Sequence, residues 1–234
     1  MWLGSNDWKA VIADGATQLG IPLQGSMIDQ FAAYASELAA WNRVTNITTI
    51  TKPKEIAIKH FLDSIAPLSI LPFKGSLLDI GTGGGFPGLP LKIAMPALAV
   101  TLVDASRKKI SFVKHVIRIL GLRNTDAVQT RFEAMPGQVD FHRRYDIIVC
   151  RAFSHLKVFI ERARPLLASH GVMLAYKGRQ VAEELAMLGV GGDPKSCQTT
   201  QAVTIFREID IEVVPYTLPF LTSDRALVMA RTKD

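Results

Sequence analysis

Cysteine is scarce in this chain. Only Cys150 and Cys197 occur, which excludes a disulfide framework and any cysteine-based metal cluster and points to a reducing cytoplasm. Long apolar runs are missing as well. Hydrophobic residues make up 48% of the sequence, yet the longest candidate, Ile65 to Phe73, is broken by prolines and falls far short of the roughly 20 residues that span a bilayer. The first residues, MWLGSNDWKAVIADG, lack a basic stretch followed by an apolar one and a small-residue cleavage site, so no export signal is read. There is no internal repeat, no low-complexity tract and no G-x-x-x-x-G-K-[ST], which excludes a nucleoside triphosphate loop. Acidic residues are outnumbered, 21 against 27 Lys and Arg, giving a net charge of +6. That balance favours acidic partners such as nucleic acid without excluding a small-molecule substrate.

A chain of 234 residues suffices for one α/β unit with an appendage and is short for two independent domains. Residues 1–74 read as a helical extension. Asp7 to Leu19 has apolar residues at helical spacing and stops at Gly20; Ser26 with Asp29 three residues on resembles a capping box opening a helix to about Trp41. A third helix is expected from Pro53 to about Leu71, after a loop rich in Asn and Thr.

From residue 75 short apolar runs alternate with helical stretches, the signature of a doubly wound parallel sheet. Strands are expected at Ser76 to Ile80, Ala99 to Val103, Ala127 to Thr130, Tyr145 to Cys150 and Val172 to Tyr176. A helix from Ser106 to Leu120 closes at Gly121, with others at about His155 to Leu167 and Arg179 to Leu188. After the linker Gly189 to Ser196, the runs Thr204 to Val214 and Arg225 to Ala230 alternate without an intervening helix and should pair as an antiparallel hairpin. The fold class is therefore α/β, a Rossmann-like doubly wound sheet of the S-adenosylmethionine-dependent methyltransferase type, with residues 75–234 as the methyltransferase domain.

In such a sheet the ligand lies beyond the carboxyl end of the first strand. There the sequence reads DIGTGGGFPG from Asp79 to Gly88. Glycines at 81, 83, 84 and 85 remove side chains that would keep a bulky cofactor from the backbone. Residues 83–88 also spell the dinucleotide pattern G-x-G-x-x-G, but counting from Gly81 puts Phe86 where its third glycine belongs. Asp79, giving D-x-G-x-G-x-G, is the methyltransferase version. Asp104 closes the second strand about 20 residues further on, where a carboxylate accepts ribose hydroxyls in either cofactor. Phe132, with Glu133 beside it, is placed to meet the adenine ring, the alternative being ordinary core. Arg151 follows the fourth strand at the functional edge, while Cys150 lacks an adjacent base and reads as a buried thiol.

No catalytic base stands out. A ring nitrogen with a free lone pair, such as guanine N7, needs none, because the enzyme has only to align it with the sulfonium methyl in a dry site. His60, His115 and His155 are scattered and read as structural. Arg107, Lys108 and Lys109 put three cations on the first turn of a helix, where the macrodipole disfavours them. With Lys114, Arg118, Arg123, Arg143, Arg144, Lys177 and Arg179 they outline a phosphate-binding surface, or else a solvated face.

The chain resembles the small-subunit ribosomal RNA methyltransferase G family, also called glucose-inhibited division protein B, in WNRVTNIT, KHFLDS, DIGTGGGFPGLPL, LVDAS, TRFE, CRAF and AYKG, in order from Trp41 to Gly178. The resemblance implies methylation of a guanine N7 in bacterial 16S ribosomal RNA, with S-adenosylmethionine as donor and S-adenosylhomocysteine as product. It implies cofactor contacts at Gly81, Phe86, Phe132, Glu133 and Arg151; Asp104 is added from the ribose argument, and Gly83 and Asp79 from the loop itself. The expected partner is 16S ribosomal RNA or the small ribosomal subunit, bound by a monomer without metal or membrane. Gly84 stands where relatives often have proline. Two other classes of function stay open at this point: an RNA-binding assembly factor that retains the pocket, and a small-molecule methyltransferase or, more remotely, a nicotinamide dehydrogenase.

Overall fold

The computed structural model describes residues 1–72, 74–137, 141, 144–152, 155–178, 181–187, 208–221 and 224–233. Helix α1 (Asn6–Gln18) starts where the Ser5 side chain accepts from the Trp8 amide at 3.3 Å and ends at Gly20, whose φ of +72° suits glycine. Helix α2 (Gly25–Thr45) departs from expectation at both ends. Ser26 lies inside the first turn, because the Gln24 carbonyl already accepts from Met27 and Ile28. The helix passes Trp41 and stops at Asn46, φ +46°. Packing overrides the loop-forming composition of this stretch, since Trp41 sits against Phe112 and His115 and the Thr45 hydroxyl bonds to the Trp41 carbonyl at 2.7 Å.

Pro53 opens the next helical segment as its spacing predicts. The segment is not uniform. Helix α3 (Pro53–Ile56) runs into a π-helical stretch (Ala57–Leu62), then α4 (Asp63–Ile65) and a 3₁₀ turn (Ala66–Ser69). The wider turn of a π-helix redirects side chains that a 3.6-residue period would place elsewhere, and Lys59 to Leu62, the first four residues of KHFLDS, fall on it.

Strands β1 (Gly75–Ile80), β2 (Leu98–Asp104), β3 (Thr125–Gln129), β4 (Tyr145–Arg151) and β5 (Leu167–Lys177) are parallel, and β7 (Asp224–Thr232) runs antiparallel between β5 and β6 (Ile209–Thr217). The order is β3-β2-β1-β4-β5-β7-β6, so direction of winding reverses beside β1. Helices α5 (Gly88–Ala94), α6 (Arg107–Ile119), α7 (Leu156–Ala163) and α8 (Val181–Met187) fill the connections. Helix α6 has the predicted ends, with Ser106 as N-cap and Gly121 at φ +61° after it. Strand β6 includes Pro215, expected in the loop; as an edge strand it tolerates the missing N–H. The linker Gly189 to Ser196 and the expected strand start at Thr204 lie outside the described residues.

Successive strand residues enter opposite cores, as pleating demands: Ile147 and Val149 face one, Ile148 and Cys150 the other. The first core also takes in Trp8, Ile12, Phe31, Tyr34 and Phe61. The N-terminal helices thus form a layer on one face of the sheet and share its core. No helix among the described residues is long and apolar enough to cross a membrane.

Candidate cofactor site

The glycine loop leaves β1 at the switch point, where the strand order predicts a ligand crevice. Its glycines divide into two kinds. Among the described residues, an added Cβ at Gly81 (φ +68°) would meet nothing within 4 Å, and at Gly83 (φ +58°) only the Gly81 carbonyl at 3.9 Å. These two face open space. At Gly84 a Cβ would lie 2.9 Å from Ile47, at Gly85 2.5 Å from the Tyr34 hydroxyl, and at Gly88 2.8 Å from Asp79. Those glycines admit the protein's own packing. The expectation that all four of residues 81, 83, 84 and 85 clear room for a cofactor is corrected accordingly.

Asp79 organises the loop from inside. It is fully buried; Oδ2 accepts from the Thr82 hydroxyl at 2.6 Å and the Gly88 amide at 2.8 Å, while Oδ1 has no hydrogen-bond partner. Burial pushes its carboxyl up to about 6, against the pull of those two donors. Asp104, at the end of β2, is half-buried beside the open glycines. Its Oδ2 accepts from the Gly83 amide at 2.9 Å and its Oδ1 from the Ser106 amide at 2.8 Å, which joins the loop to the start of α6. Each oxygen keeps a second lone pair for a ligand hydroxyl.

Arg151 projects from the end of β4 into a prepared socket. Its guanidinium donates to the Lys59 carbonyl at 2.8 Å and to His60 Nδ1 at 3.1 Å, approaches Asp63 at 3.5 Å, and lies 5.3 Å from the centre of the Phe86 ring. His60 Nε2 meets the Thr48 hydroxyl at 2.9 Å, so the tautomer with hydrogen on Nε2 satisfies both contacts. Burial, reinforced by the Arg151 charge, lowers the His60 pKa to about 3 and keeps the ring neutral. Asp63 in turn accepts from the Tyr216 hydroxyl at 2.7 Å and stands 4.0 Å from Arg225, tying both hairpin strands to the start of α4, directly after the π-helical stretch. Phe86 itself is only 3% exposed, stacked with Tyr34 and His60.

With that geometry in view, comparison with known proteins is decisive. A profile described as rRNA small subunit methyltransferase G (GidB) matches residues 27–206. The chain belongs to that family. It is a methyltransferase, and its methyl donor is S-adenosylmethionine. The ribosomal RNA small subunit methyltransferase G of Geobacter sulfurreducens is 38% identical over 218 residues, covering 93% of this chain and 94% of the relative. That of Desulfitobacterium hafniense is 44% identical over 168 residues, 72% of this chain and 70% of the relative. Among solved structures, cofactor-bound Rv0187 from MTB superposes with a TM-score of 0.59 at 16% identity, covering 86% of this chain and 90% of that one, which shows a shared fold.

The residues present fit the donor of a methyltransferase. Gly81 and Gly83 offer backbone with open space above it, and Asp104 borders that space with acceptor capacity to spare. The Phe132 ring packs in the second core, 7% exposed, and Glu133 beside it is exposed and pairs with Arg162 at 2.7 Å. Cys150 is 1% exposed and burial raises its thiol pKa, in keeping with an inert strand residue.

The basic candidates separate too. Arg107 and Lys108 are exposed and Lys109 partly so, on the first turn of α6, which Asp104 links to the cofactor loop. Lys177 does not join them. It is 7% exposed, and its ammonium bonds both oxygens of Glu184, on α8, at 2.7 and 2.9 Å. Arg143 and Arg179 lie outside the described residues. Sequence reasoning missed Tyr34, His60 and Asp63 as parts of the site. KHFLDS carried a signal for the last two, but only the folded chain, with the π-helical turn running into α4, shows that they face Arg151.

Proposed function

We propose that this methyltransferase transfers the methyl group of S-adenosylmethionine to N7 of one guanine in 16S ribosomal RNA, as a monomer acting on the RNA or the small ribosomal subunit. The observation that supports this reading is the continuity of the open glycine face, Asp104 and the exposed basic first turn of α6, a run of residues suited to drawing RNA phosphates toward the methyl donor. When bound, S-adenosylmethionine supplies a methyl on a positively charged sulfur, ready for direct displacement. Asp104 accepts from the ribose hydroxyls, and Gly81 and Gly83 let the backbone approach. His60 is neutral with both ring nitrogens engaged, so it takes no proton. Guanine N7 asks for none to be taken: its lone pair is free, and positioning in a water-excluded site suffices.

The test is mass mapping of 16S RNA and of small-subunit particles lacking the mark, after reaction with labelled cofactor. A single 7-methylguanosine is expected. Transfer to an exocyclic amine or a ribose oxygen would overturn the N7 reading, and no transfer to either form of RNA would favour an assembly factor that only binds the cofactor.

A further inference from the structure

Residues 81–85 contain four glycines, and a run of that kind has more backbone freedom to lose than any other sequence. A cofactor cradle built from it must be held in shape by something outside the loop. Asp104 holds one side through the Gly83 amide. The other side is held from the N-terminal layer. The Tyr34 hydroxyl, on α2 and 50 positions away in sequence, donates to the Gly84 carbonyl. The amide on the other side of that same peptide plane, Gly85 N–H, donates to the Thr82 carbonyl at 2.9 Å. A peptide unit is planar, so holding its oxygen and its N–H fixes its rotation.

The phenol is itself locked. Tyr34 is fully buried, stacked on Phe86 with centres 5.0 Å apart and met edge-on by Phe61 at 5.2 Å. Burial raises its pKa well above the ordinary value, so it remains a donor across the working range. Gly85 is the matching half of the contact, since any Cβ there would lie 2.5 Å from the hydroxyl.

We propose that Tyr34 is a positioning residue for cofactor binding: from the helical extension it clamps the Gly84–Gly85 peptide and thereby holds Gly81 and Gly83 in the conformation that receives S-adenosylmethionine. The proposal rests on the cofactor binding at this loop. It makes the N-terminal layer part of the donor site.

The experiment is calorimetric titration of S-adenosylhomocysteine into the full chain and into Tyr34→Phe, which keeps the ring stack and deletes the donor. Loss of one buried hydrogen bond predicts a Kd raised about five- to tenfold. The KM for S-adenosylmethionine should rise in step, with kcat at saturation and the KM for RNA unchanged. Ile12→Val, a fully buried position on α1, controls for loss of stability and should leave Kd within about twofold. A Tyr34→Phe Kd within about twofold of the unsubstituted protein overturns the proposal, as does an equal rise in Ile12→Val. If the unsubstituted protein fails to bind S-adenosylhomocysteine, the cofactor assignment falls and the clamp falls with it.

Discussion

Asp79 and His60 answer pH in opposite senses, although both are buried around the same loop. The Asp79 pKa is raised from 3.8 to about 6 by burial. The folded state therefore holds its proton more tightly than the unfolded state, and the stability this contributes is fully present below about pH 4 and lost as pH rises through 6. For His60 the pKa falls from 6.5 to about 3. Its contribution is fully present above about pH 6.5 and is lost as pH falls toward 3, because the unfolded ring gains a proton that the folded ring refuses. Two measurements separate them. Carboxyl NMR should give Asp79 a midpoint near 6, and unfolding of the parent relative to Asp79→Asn should lose ground between about pH 4 and 6. Relative to His60→Gln the parent should gain across about pH 4 to 6.5; flat differences in both would show that these environments are wrong.

Among the elements, α6 bears the proposed RNA surface at a cost to its own stability. Three cations at the positive end of the helix dipole are each unfavourable by a few tenths of a kcal/mol. The Asp104 carboxylate, bonded to the Ser106 amide at 2.8 Å, offsets part of this. Replacing Arg107, Lys108 and Lys109 by Glu should leave S-adenosylhomocysteine affinity within about twofold, weaken RNA binding, and reduce the slope of log affinity against log salt by about 2 to 3. An unchanged slope would mark the turn as a solvated face. Lys177→Ala is predicted to act differently, lowering the melting temperature by uncovering Glu184 while leaving the salt slope alone, since its ammonium already bonds that carboxylate. Helix α6 was legible in outline, caps included, because a Ser cap and a following glycine are local devices. The π-helical stretch was not: KHFLDS looks like any amphipathic turn until Arg151, Thr48 and Phe86 arrive from three other places in the chain.

At the scale of the molecule, the helical extension and the sheet have one core between them. Phe86 and Phe112, from the methyltransferase portion, are covered by Tyr34, Phe61 and Trp41. A fragment of residues 75–234 would expose that face, so we predict that it fails to give a cooperative melt or to bind S-adenosylhomocysteine; a stable, binding fragment would make the extension an accessory. The hairpin is joined to the same centre through Asp63. Tyr216→Phe removes a half-buried donor to that carboxylate and should lower unfolding free energy by about 1 kcal/mol in denaturant titration.

What the sequence determined by itself was whatever depends on neighbours along the chain. Period-2 and period-3.6 patterns placed the five parallel strands and the closing hairpin, and the glycine loop fell at the end of β1 because loop and strand are contiguous. The direction in which each residue of that loop faces was settled by packing against distant segments. Composition could not show that Gly81 and Gly83 open outward while Gly84 and Gly85 yield to Ile47 and Tyr34, or that Phe132 and Lys177 turn inward. Those assignments rest on contacts between segments tens of residues apart, and no local spacing encodes the space that a distant helix will occupy.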